Sequence, residues 1–137
     1  MKPKLVATLL YIAGIFLIVA GAGTWYMISD QLAAEQIVVS DDASCQAGQE
    51  VNGPIEAFCQ AEIINTHALK ATGGKTYAQL AQDDPTRTTA MQASFLRASL
   101  FTSVVAFGVA AFAMGVGVLS IIIGAGFGHL AGRESTA

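Results

Sequence analysis

Apolar positions in this chain gather into two uninterrupted runs rather than recurring singly. The longer, Ala98 to Gly128, reads ASLFTSVVAFGVAAFAMGVGVLSIIIGAGFG, 31 residues without an ionisable side chain. A bilayer's hydrocarbon core needs about 20 apolar helical residues at about 1.5 Å of rise each, and neither a soluble core helix nor a buried strand explains such a run. The shorter run, Leu5 to Ser29, is equally free of charge and ends with an interfacial aromatic pair, Trp25 and Tyr26. This pattern predicts an all-α membrane protein. Its frame is a two-helix transmembrane hairpin, with spans 5–29 and 98–128, a mainly helical segment 30–97 between them, and tails 1–4 and 129–137.

Turn residues and prolines divide the connecting segment. Asp30 to Glu35 continues the first helix until it frays. Gln36-Ile37-Val38-Val39-Ser40 is rich in β-branched residues and predicts a short strand or extended stretch, which needs a partner from a neighbouring loop or another chain. Residues 41–53 read as loop. Asn52 or Gly53 as N-cap, Pro54 at the first helical position and Gly73-Gly74 beyond the end bound a helix from Pro54 to about Thr72, with Lys70 in its last turn. On that helix Glu56, Gln60, His67 and Lys70 share one face. Phe58, Ala61 and Leu69 share the opposite one, interrupted by Glu62 and Asn65. Thr76 to Gln82 predicts a helical turn or two. Asp84-Pro85, a carboxylate cap followed by proline, starts a helix running unbroken to about Gly128, roughly 66 Å, with Arg97 near the outer interface. His129 to Ala137 reads as a small, polar, frayed tail.

Charge turns this frame into an orientation. Segment 30–97 carries nine acids (Asp30, Glu35, Asp41, Asp42, Glu50, Glu56, Glu62, Asp83, Asp84) against four bases (Lys70, Lys75, Arg87, Arg97), while the tails carry Lys2, Lys4 and Arg133 against Glu134. The positive-inside rule then puts both termini in the cytoplasm and 30–97 outside, in a multi-pass protein of the cytoplasmic (inner) membrane. A basic flank, an apolar stretch and Ala20-Gly21-Ala22 also satisfy the rule for signal-peptide cleavage. The apolar run continues past Ala22 into Trp25-Tyr26-Met27-Ile28, which favours an uncleaved anchor. With 137 residues, 53% hydrophobic and 12% charged, and a mean hydropathy of +0.54, the chain is too apolar for a soluble domain and too short for a multi-domain enzyme. No cluster of four bases appears, so neither nucleic acid nor a polybasic lipid switch is supported.

Cys45 and Cys59 both fall on the oxidising side, and an intrachain disulfide is the natural reading, worth ~3 kcal/mol in the chain-entropy model. Intermolecular pairing and free thiols are the alternatives. Small residues recur every seven positions, at Ala7, Gly14 and Gly21 on the first span and at Ser103, Ala110, Gly117 and Gly124 on the second. Lipid gives helices no hydrophobic reason to pair, so close backbone approach over small side chains predicts antiparallel packing of these two faces. A homo-oligomeric contact through Phe101, Phe107, Phe112 and Met114 is the alternative.

Reactive chemistry is sparse. His67 with Glu56, Gln60 and Glu62 suggests a metal or acid–base cluster, yet Glu56 and His67 are about 16 Å apart by helical rise. His129 reads as an exposed cation at a helix end. Gly73-Gly74-Lys75-Thr76 resembles the end of a phosphate loop without the upstream glycine or flanking strand. No catalytic residue, metal ligand, cofactor or small-molecule substrate is therefore expected. The spans hold no ionisable side chain, which argues against a proton relay or transporter site; a pore made from several copies would be lined by glycine, serine and threonine. Glu62, Asn65 and His67, polar positions on the middle helix, form a candidate partner surface.

The stretches Ile37-Val38-Val39-Ser40-Asp41-Asp42-Ala43, Ala61-Glu62-Ile63-Ile64-Asn65-Thr66-His67-Ala68-Leu69, Ala71-Thr72-Gly73-Gly74-Lys75-Thr76-Tyr77 and Ser94-Phe95-Leu96-Arg97-Ala98-Ser99-Leu100-Phe101-Thr102-Ser103-Val104 resemble a family of small two-span actinobacterial membrane proteins of unknown function. The likeness covers most of the chain. It implies a membrane location and leaves the activity open. Members often bear the name "aromatic ring-opening dioxygenase", but such enzymes hold a metal with histidine and carboxylate or tyrosine ligands, and His67 and His129, placed on opposite sides of a membrane, do not supply that set. The expected function is non-enzymatic: a scaffold or accessory subunit of a membrane or envelope complex, meeting the bilayer and either itself or another membrane protein. A membrane-bound metal-dependent enzyme and a small homo-oligomeric channel are the alternatives.

Overall fold

The computed structural model describes residues 3–134. They form three α-helices, α1 (Pro3–Ala34), α2 (Pro54–Ala71) and α3 (Arg87–Glu134), with a 3₁₀ turn at Tyr77–Gln79. No strand forms among the described residues. Helices α1 and α3, with 32 and 48 residues, are about 48 and 72 Å long at ~1.5 Å per residue, long and apolar enough to cross a membrane. Only 17% of the most apolar stretch of each is buried. The chain divides into two compact units, residues 3–27 with 108–134, and Ile28–Phe107.

In the first unit the buried positions are the small ones: Ala7, Gly14 and Gly21 on α1, and Ala110, Gly117, Gly124 and Ala131 on α3. Gly14 meets Gly117 so closely that a β-carbon on Gly14 would stand 2.6 Å from the Gly117 carbonyl oxygen, and one on Gly117 would stand 2.7 Å from that of Gly14. Seven residues along, Gly21 faces the Ala110 carbonyl and Met114; seven residues back, Gly124 faces Ala7 and Leu10. The two segments therefore run antiparallel, backbone against backbone. Around this seam the side chains point away and stay uncovered, as with Ile12, Phe16, Val109, Phe112 and Ile122.

The second unit is built by different means. Val39, Val51, Ala57, Cys59, Ala61, Ile63, Leu80, Ala90, Leu100 and Phe107 are buried around α2. The β-branched run Gln36–Ser40 finds its partner in the neighbouring loop, where Val38 and Glu50 form an isolated antiparallel bridge and Val39 exchanges backbone bonds with Gln49 and Gly48. Helix α2 opens on Gly53 and Pro54. It closes in a Schellman turn, in which Gly74 N–H donates to the Leu69 carbonyl at 2.7 Å across Gly73, whose φ of +62° suits glycine.

Three boundaries differ from expectation. Helix α3 starts at Arg87 rather than Pro85, because Asp84 spends its carboxylate on the Thr86 N–H and hydroxyl, leaving Pro85 and Thr86 as a turn. It also passes Gly128 and His129 to reach Glu134, because Ala131 continues the buried small-residue register; residues Ser135 to Ala137 of the expected tail lie outside the described residues. Thr76 to Gln82 yields only the 3₁₀ turn, closed by a Thr76–Gln79 capping box.

Candidate functional site

Helix α2 is covered on two flanks, which its imperfect stripe concealed. On one, Phe58 meets Phe101 of α3 edge-on with ring centroids 5.9 Å apart, and Glu62 lies 3.7 Å from Arg97. On the other, Cys59 is joined to Cys45 by a disulfide with Cα atoms 5.7 Å apart, Gln60 accepts the Ser40 N–H at 3.1 Å, and His67 Nε2 pairs with Asp42 Oδ2 at 2.7 Å. Three side chains of α2, Cys59, Gln60 and His67, thus hold a 19-residue loop in place.

Glu62, Asn65 and His67 each take a different neighbour within the chain. Glu62 pairs with Arg97, Asn65 lines a crevice of about 60 Å³ against Ala90, Ala93 and Ser94 of α3, and His67 sits on the opposite flank with Asp42. Five residues of helix separate Glu62 from His67, a rotation of about 140°, so three polar positions adjacent in sequence end in different surroundings. The suspected cluster of Glu56, Gln60, Glu62 and His67 disperses in the same way. Glu56 curls back on Gly53, and each of the others takes a separate intrachain partner. The heptad residues are brought together except Ser103, which belongs to the second unit, is half-buried and bonds back to the Ser99 carbonyl. Nor do Phe101, Phe107, Phe112 and Met114 make one outward contact face: Phe101 meets Phe58 edge-on, Phe107 is fully buried, Met114 packs on Gly21, and of the four only Phe112 is exposed.

A cleft of about 420 Å³ lies beside the disulfide, lined by Asp42, Ser44, Cys45, Phe58, Cys59, Glu62, Ile63 and Thr66. Both carboxylates on its rim already have intrachain partners. The His67 hydrogen bond and charge hold the Asp42 carboxyl below the ordinary aspartate value. Its two thiols are consumed in the cystine, and no histidine lines it. Among the described residues no group of three or more His, Cys, Asp or Glu side chains is placed to hold a metal ion.

One element escaped sequence reasoning. Arg87 donates to the Tyr77 and Leu80 carbonyls, at 3.3 and 2.6 Å, and lies 4.2 Å over the Tyr77 ring, clamping the 3₁₀ turn to the start of α3. Its only signal in the sequence is a lone arginine beside a helix cap. Arg97 stacks over Phe101 at 5.5 Å, and its buried Nε has no partner. No protein-family model matches the chain, and neither the curated proteins nor the solved structures contain a significant match.

Proposed function

We propose that the chain is a non-enzymatic protein of the cytoplasmic membrane, threading the lipid twice as an antiparallel hairpin with both termini inside, and that it presents residues 30–97 outside as a scaffold or accessory subunit of a membrane complex. The observation that carries this reading is the inverted packing of the long helices: the small residues are buried and the large apolar ones are left uncovered. Water would penalise that arrangement, whereas lipid is indifferent to the exposed side chains and rewards close backbones. The hydroxyls within the apolar helices support it too. Thr102, Ser103 and Ser120 bond to the carbonyl four residues back, which removes polar groups that hydrocarbon could not satisfy.

The charge asymmetry of the tails and the cystine on the acidic side favour the stated orientation. Action by contact, rather than by chemistry, is favoured by the pairing of the cleft's thiols in the cystine and of its carboxylates with His67 and Arg97. The test has two parts. In intact cells, a membrane-impermeant thiol reagent applied after reduction is expected to label Cys45, and labelling only after lysis would reverse the topology. Native mass analysis from gentle detergents is expected to find the chain with itself or a second protein; a lone monomer in every detergent would remove the scaffold.

A further inference from the structure

Helices α2 and α3 lie side by side with a fixed offset. Phe58 meets Phe101; one turn on, Glu62 meets Arg97; beyond that, Asn65 and Leu69 share a crevice with Ser94 and Ala90. Each step of three or four residues along α2 is matched by an equal step back along α3, so the pair is antiparallel and the register can be continued. Ile55, three residues before Phe58, is level with Val104, three residues after Phe101. Val104 lies seven residues beyond Arg97, the last ionisable side chain before the charge-free run, a distance of about 10 Å at ~1.5 Å per residue.

The chemistry of α2 changes at the same level. Above Phe58 it carries Glu62, paired with Arg97; below, it carries Ile55 and Phe58, which are 59% and 45% exposed and about 60° apart around the helix. Glu56, the one carboxylate in this turn, is turned back against Gly53, where a β-carbon would stand 2.7 Å from Oε2, and Pro54 contributes no N–H. On α3, Val105 at this level is 64% exposed.

Resting on the membrane reading above, we propose that the first turns of α2, Pro54 to Phe58, are seated in the interfacial layer of the outer leaflet with Ile55 and Phe58 against lipid. Helix α2 is then a third membrane-contacting helix, one that enters without crossing. Lipid is the occupant, rather than a second copy, because the patch stands at a depth where α3 itself belongs in the bilayer, and the Glu62–Arg97 pair marks the headgroup level above it.

Trp25 is the single tryptophan, so a Trp25→Phe background carrying Ile55→Trp, Phe58→Trp or Ala71→Trp reports depth. The full chain is reconstituted in phosphatidylcholine vesicles containing acyl-brominated lipid, with disulfide formation checking the fold. Ile55→Trp and Phe58→Trp are expected to lose about half their emission, as befits side chains within about 5–10 Å of the headgroup boundary, matching Trp25 in the parent, while exposed Ala71→Trp is unaffected. Quenched Trp25 with unquenched Ile55→Trp and Phe58→Trp would overturn the seating and leave the spans standing. Blue-shifted but unquenched emission would assign the patch to a protein neighbour and overturn it equally. An unquenched Trp25 would sink both readings.

Discussion

The two units solve the same problem, holding helices together, with opposite materials. In the first, α1 and α3 meet over glycine and alanine, with the side chains of Leu10, Tyr11, Ile18, Met114 and Ile121 lapping the edge of the seam. In the second, α2 is held by a cystine, an aromatic pair, two ion pairs and a side-chain bond to a loop, and an arginine clamps the 3₁₀ turn to α3. The difference follows from the proposed surroundings. Where lipid surrounds the helices, backbone proximity is the available source of contact energy; where water does, apolar burial, hydrogen bonds and cross-links have to offset the entropy of a long polar loop.

The comparison breaks most sharply at the seam. Gly14→Val combined with Gly117→Val is expected to cost about 3 kcal/mol or more in detergent-titrated unfolding, since even the first added carbon collides with a carbonyl that cannot move aside. Gly23→Ala and Gly108→Ala, where nothing lies within 4 Å, are instead expected to gain about 0.5–1 kcal/mol. Equal effects at all four positions would dissolve the distinction between seam and surface.

Next comes the cystine. Cys45→Ser with Cys59→Ser closes no loop and is expected to lose ~3 kcal/mol, with hydrogen exchange accelerating across residues 36–53 while the glycine seam stays protected. Loss of protection in both units together would show that they are not separate. Arg87→Gln, which gives up two carbonyl bonds and a stacked ring, is expected to cost about 2 kcal/mol and to loosen the Tyr77–Gln79 turn first.

The smallest effect belongs to the exposed His67–Asp42 pair. Because Asp42 is held below its ordinary value when folded, its contribution is fully present above the unfolded value and is lost as pH falls through the lower folded one, below about pH 4. Asp84, held down by the Thr86 hydroxyl and N–H, adds to the same acid limb. Asp42→Asn is expected to flatten that limb in a pH series of melting curves by lowering the neutral-pH plateau slightly while leaving the acid end unchanged; an unaltered acid limb would remove the pair from the account.

Much of the architecture was legible because single residue types announce it. A charge-free run, Gly53-Pro54, Gly73-Gly74 and the Asp84 cap each carry one local meaning, and the helices follow within a few residues. What escaped depended on neighbours distant in sequence. The α2 stripe looked imperfect because that helix is buried on two sides, and no periodicity test assigns polar positions such as Glu62 and Gln60 to separate partners. Gly128 looked like a stop, yet a glycine ends a helix only where nothing beyond it packs, and Ala131 does pack. The partner of Gln36–Ser40 was hidden by an intervening loop that turns through Gln46 at φ +52°, a conformation its residue type does not advertise.

The contact of Gly14 with Gly117 also limits how this gene can change. Every single-nucleotide replacement of a glycine codon that keeps an amino acid there adds at least one carbon, so no missense path leaves either position unharmed, whereas Gly23, Gly108, Gly115 and Gly126 face open space. A deep mutational scan of the two long helices should therefore print a barcode: intolerant bars at Gly14, Gly21 and Gly117, and permissive gaps at the glycines between them.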